Sequence, residues 1–175
     1  MEIDPFVSSF VDSTIEGMRE LIEKGEEVVP QVILFARDAD GNPTILPLIG
    51  IGSLFVSKEG KRQIPAIVKK CWQKISSDNA GLSLCAVVML SDIWVEHVSI
   101  PEFEEIRKHG RKAEFEPKPG MAESLLVMVS VADREFQYHW PYVRGQKDIV
   151  FTAEPVVEIS PQSSGSVLMN KLWPL

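Results

Sequence analysis

Apolar residues recur at Ile3, Phe6, Val7, Phe10, Val11, Ile15, Met18, Leu21 and Ile22, with acids and serines between them. Steps of three and four residues place these side chains on one face of a helix. Asp4-Pro5 supplies an acceptor cap and a first-turn proline, and Gly25 supplies the stop. The pattern then shortens. Pro30 leads into the apolar run at 31–36, the turn residues Asp38, Asp40, Gly41, Asn42 and Pro43 follow, and a second run occupies 44–49. Two strands joined by a tight turn are expected. Pro47 has no N–H to donate, so the second strand is expected to be an edge or to break there.

From Ile64 through Ile67, Val68, Cys71 and Trp72 to Ile75 the helical period returns, and Asn79-Ala80-Gly81 closes it. Residues 82–90 are too continuously apolar to be half exposed and read as the central strand. A strand, a helix and a strand in succession make a crossover, which sets this strand parallel to a member of the first hairpin. Residues 101–120 are charged, proline-containing and aperiodic, as expected of a surface excursion. Strand patterns return at 124–131, 136–143 and 148–159, separated by polar turns, which predicts an antiparallel meander. There is no internal repeat. The expected architecture is α+β: a mixed sheet with two packed helices and a C-terminal antiparallel meander. Residues 1–160 form one domain, and 161–175 form a tail with Trp173 as an anchor.

Composition narrows the function classes. With 175 residues, 45% hydrophobic and 25% charged, the chain can bury a core without metal or disulfide staples. A net charge of −7 argues against nucleic acid, whose affinity comes from Lys and Arg displacing counterions. The start Met1-Glu2-Ile3-Asp4 is acidic where a secretory signal is basic, and no apolar run reaches membrane-spanning length. A cytoplasmic protein without membrane contact is expected. Cys71 and Cys85 sit in an expected helix and strand, where reduced thiols act as small apolar side chains.

Candidate chemistry is sparse. His97, His109 and His139 lie in separate segments, whereas metal sites cluster their ligands, so no metal and no cofactor is expected. Gly50-Ile51-Gly52-Ser53 lacks the third glycine of a dinucleotide loop and the Gly-Lys-Ser/Thr ending of a nucleotide loop, and reads as a flexible loop. Lys58, Lys61, Arg62, Lys69, Lys70 and Lys74 make the second helix basic, while the first is acidic. These are expected to be solvated faces with some mutual attraction between the helices, or else a cationic patch for an acidic partner. Trp94, Tyr138, Trp140 and Tyr142 place large amphipathic rings on strands, which suits sheet packing and binding interfaces alike.

The order of helix, Asp-Gly hairpin, helix and apolar strand ending in Ser91-Asp92-Ile93-Trp94, followed by a strand opening Glu123-Ser124-Leu125, resembles a family of uncharacterised bacterial and phage proteins. The likeness spans residues 28–135, with Asp92 in place of the family's glutamate, and implies the architecture without an activity. More distantly, the element order resembles metal-dependent deubiquitinase-like proteases. Those require two histidines one residue apart plus a Ser and an Asp to leave zinc an open position for water. At the equivalent strand end this chain has Asp92, Trp94, Glu96 and His97, with one histidine. The expected function is a non-catalytic interaction or accessory protein that binds an unidentified protein partner and forms a homodimer. The rivals are a hydrolase with a reduced site at Asp92, Glu96 and His97, and a small-molecule-binding domain.

Overall fold

Helix α1 (Pro5–Glu23) starts and stops where its signals lie. The Asp4 carboxylate accepts from the Phe6 amide at 2.9 Å, satisfying a donor that the first turn leaves free. Beyond the helix, Gly25 takes φ +77°, a left-handed turn that favours glycine. A computed structural model of the chain describes residues 3–95, 122–144, 149–151 and 156–161.

Strands β1 (Gln31–Arg37) and β2 (Pro43–Pro47) form the expected hairpin, with Pro47 ending the edge strand. A 3₁₀ turn (Ile51–Val56) then leads into α2 (Lys58–Asp78). The supposed flexible loop is therefore ordered, because Ile51 and Phe55 are buried in the core. Helix α2 begins six residues before Ile64, capped by the Ser57 hydroxyl, which accepts from the Gly60 amide at 3.0 Å. Pro65 lies inside it, and its first six residues, 58–63, are polar or glycine, so the apolar period shows only from Ile64.

The central strand β3 (Ser83–Val95) pairs with β1 on one side and with β4 (Ala122–Ser130) on the other. Strand β5 (Arg134–Arg144) continues the meander, and its outer edge carries β6 (Ile149–Phe151) and β7 (Val156–Pro161) end to end. The expected single strand over 148–159 is thus split. The two segments pair with different parts of β5, Phe151 with Tyr142 and Val156 with His139. The sheet order is β2-β1-β3-β4-β5-β6, with β7 also on β5. Strand β3 does run in the same direction as β2, as the crossover requires, but β1 lies between them. Each described hydrogen-bonded pair is antiparallel.

Both faces of β1, β3 and β4 are covered. Ile33, Phe35, Val88, Leu90, Leu125, Val127 and Val129 pack under α1 through Val7, Val11, Ile15, Met18 and Ile22. The alternate residues Val32, Leu34, Val87, Met89, Leu126 and Met128 pack against Ile51, Phe55, Ile64, Val68 and Trp72. Double coverage explains why 32–36 and 86–90 are apolar without alternation, since every side chain meets a layer. It also corrects the expected attraction between the helices, which are separated by the sheet. The α1 acids instead pair within α1, as in Arg19 with Glu23 at 2.9 Å.

Candidate functional site

Past Leu90, β3 reaches Asp92 on the α1 face. In register, Asp92 opposes Leu125, Trp94 opposes Glu123, and Glu123 opposes Tyr142. Two carboxylates and a phenol from three adjacent strands therefore meet at one end of the sheet. The Tyr142 hydroxyl donates to Asp92 Oδ1 and Glu123 Oε2, each at 2.7 Å. Its single hydrogen can be aimed at only one of the two oxygens at a time. Burial, then the bonds to Asp92 and Glu123, push the phenol far above the ordinary tyrosine range. Tyr142 is thus held as a neutral donor, unsuited to act as a base or nucleophile near neutral pH.

Aromatic packing roofs this end. Phe151 of β6 meets Trp140 at 5.3 Å and Tyr142 at 5.0 Å between ring centroids. From α1, the Arg19 guanidinium lies 5.2 Å from the Trp140 centroid and 5.8 Å from that of Phe151. A cation over two ring faces adds electrostatic attraction to the packing.

The predicted site residues fall into three groups. Asp92 and Tyr142 come together, and Glu123 joins them. Trp140 and Tyr142 are buried and Tyr138 half-buried on the α1 face, so all three pack in or against the core. Trp94 is placed by register alone, while Glu96 and His97 lie outside the described residues, as do His109 and the tail after Pro161. His139 is on the opposite face of β5, its Nε2 3.4 Å from Gln137 Oε1, and Gln137 Nε2 in turn donates to buried Glu135 at 2.6 Å. It cannot converge with Asp92. Among the described residues no three His, Cys, Asp or Glu side chains cluster as a metal site would require. Both cysteines are free, and burial raises the Cys85 thiol above its usual value.

Two surface features complete the picture. Val143, Val150, Val156, Val157 and Ile159 on the β5–β7 side of the sheet are 49% to 64% exposed. At the other side, a groove of about 460 Å³ runs between residues 47–54 and α2, lined by Leu48, Ile51, Leu54, Ile67 and Cys71. Among the described residues no helix is long and apolar enough to cross a membrane.

Glu123 was legible as an inward acid, because it continues the alternation of Leu125, Val127 and Val129. The groove had no such signal, since its walls come from separate segments. No protein-family model, curated protein or solved structure matches the chain.

Proposed function

We propose that this chain is a non-catalytic interaction or accessory protein of the cytoplasm that associates with itself through the outer edge of its sheet. The observation that carries this reading is the exposed aliphatic set Val143, Val150, Val156, Val157 and Ile159 around β6 and β7. Among the described residues no strand pairs with the outer side of β6 or β7. Apart from Glu158, the side chains of β7 before its terminal Pro161 are uncharged, and an extended, mostly apolar edge is a template for strand addition. Antiparallel pairing of β7 with its copy about a twofold axis joins two sheets and covers the valines on both partners.

The carboxylates do not favour catalysis. Asp92 and Glu123 are joined to a neutral buried phenol, an arrangement that ties β3, β4 and β5 together. Sedimentation velocity from about one to one hundred micromolar tests the reading, since dimers with standard interfaces assemble in this range. A concentration-dependent dimer is expected, and a monomer at every concentration contradicts it.

A hydrolase reading rests on two carboxylates gathered at a strand end. Its test is calorimetry with zinc and manganese. Binding of either ion that is lost in Asp92→Asn and His97→Ala would establish it, and no binding to the unaltered protein removes its support.

A further inference from the structure

Helix α2 is a basic element in an acidic protein. It carries six Lys or Arg and two acids within a chain of net charge −7. Because the sheet separates it from α1, the α1 acids cannot neutralise it. Arg62 pairs with Glu59 at 3.8 Å, but among the described residues Lys69, Lys70 and Lys74 have no ion pair. Lys70 and Lys74 stand one turn apart on the same helix face, where like charges repel. Each also follows a groove-lining residue by three positions: Lys70 follows Ile67, and Lys74 follows Cys71. Both lysines are exposed. Helical spacing therefore sets both lysines on the solvent side of the ridge that Ile67 and Cys71 contribute to the groove.

The opposite wall is equally specific. Gly50 takes φ +83°, turning the chain so that Ile49 stands 96% exposed while Ile51 enters the core. Leu48, Ile51 and Leu54 line the groove together with Ile67 and Cys71 of α2. The groove thus combines an aliphatic trough with a cationic rim on one side. Apolar surface alone does not select a partner, whereas the rim selects by sign and repels other basic surfaces.

We infer that the groove between Leu48–Leu54 and α2 docks a peptide segment of a partner protein that joins large apolar side chains to Asp or Glu. The apolar groups enter the trough between Ile49 and Ile67, and the acids face Lys70 and Lys74. This deepens the interaction reading and rests on it, but it uses the face of the molecule away from β7. Sheet-edge association and peptide docking can therefore occur together.

Panning a random dodecapeptide library on the full chain tests the inference. Enriched peptides should combine acids with Leu, Ile, Phe or Trp. Their affinity should fall about tenfold or more in Ile67→Asp and in Lys70→Glu/Lys74→Glu, and it should weaken with salt. In a Cys85→Ser background, a bound peptide should slow alkylation of Cys71. Circular dichroism melts of both variants verify that they fold. Peptides without acidic bias, or bound equally by folded groove variants, overturn the inference and leave the interaction reading standing. Failure to enrich any peptide, together with a monomer in sedimentation, overturns both. Binding of the chain to vesicles of anionic phospholipid that is lost in Lys70→Glu/Lys74→Glu, without peptide enrichment, assigns the rim to a lipid surface instead. Dissociation of a dimer by Ile67→Asp assigns the groove to a second copy.

Discussion

The Tyr142 hydroxyl donates to Asp92 at 2.7 Å although 50 positions separate them in sequence. Because Glu123 accepts from the same hydroxyl, one oxygen links the three neighbouring strands β3, β4 and β5. Tyr142→Phe keeps the ring and its packing on Phe151 while leaving two partly or fully buried carboxylates without this donor. Removing one partner of a buried polar contact costs about 1–3 kcal/mol. Urea unfolding should register that loss with an unchanged slope. A change below about 0.5 kcal/mol would mean that the hydroxyl contributes only its size.

Both tyrosines of the chain are shifted upward. Tyr142 is raised by burial and then by Asp92 and Glu123, and Tyr138 by burial and then by Asp12. A folded value above the unfolded one, about 10 for a phenol, stabilises the fold below that pH and is lost as pH rises toward the folded value. Alkaline difference absorbance should therefore show little tyrosinate in the folded protein at pH ~10, with release on unfolding. Ordinary titration of both phenols in the folded state would contradict the buried placement.

Asp4 has two roles. It caps α1 and it receives Arg37 from β1, whose Nε and Nη2 reach its two oxygens at 2.9 Å each. The Arg37 bonds, chiefly, hold its carboxyl below the usual value. A depressed value stabilises the fold above the unfolded pKa of about 3.9 and is lost as pH falls through the lower folded value. Asp4→Ala should cost about 1–2 kcal/mol at pH 7, mostly from the cap because the ion pair is partly exposed. Asp4→Asn retains a capping oxygen and should cost less. The difference between wild type and Asp4→Ala should shrink toward pH 3, and its persistence there would assign the effect to packing.

Gly60 gives the contact between the 3₁₀ turn and α2 a signed test. A Cβ at Gly60 would collide with the backbone of Leu54, at its carbonyl oxygen first. Glycine to alanine inside a helix ordinarily stabilises by up to about 1 kcal/mol. Here Gly60→Ala should destabilise instead, by about 1–3 kcal/mol, as overpacked sites do. A higher melting temperature for the variant would show that the turn can withdraw from the helix.

Local chemistry was legible and long-range placement was not. The cap at Asp4, the proline after it and Gly25 mark both ends of α1, because each acts on its immediate neighbours. The unbroken run at 86–90 correctly signalled a strand covered on both faces, and the run at 32–36 correctly signalled a strand. Which helix covers which face depends on the path of the crossover, and opposite charge on the two helices suggested a contact that the sheet prevents. The start of α2 was hidden because residues 58–63 carry no apolar side chain, so the helical period becomes visible only at Ile64. At the site, Asp92 and Tyr142 stood out as residue types, but their meeting depends on the registers of two strand pairs. Glu123, an acid on the inward period of an otherwise apolar strand, was the clue that went unread, because the strand pattern was begun one residue later, at Ser124.

Amide hydrogen exchange along residues 156–161, followed as a function of protein concentration, tests self-association through the sheet edge most directly. Alternate amides of an edge strand point away from the sheet and exchange with water unless another strand accepts them. The account predicts that half of the β7 amides, those not bonded to β5, become protected at high concentration and exchange freely on dilution. It also predicts that Ile159→Lys abolishes the concentration dependence while the β5-bonded amides stay protected. Outward amides that exchange freely at every concentration, while the protein remains folded, would contradict it.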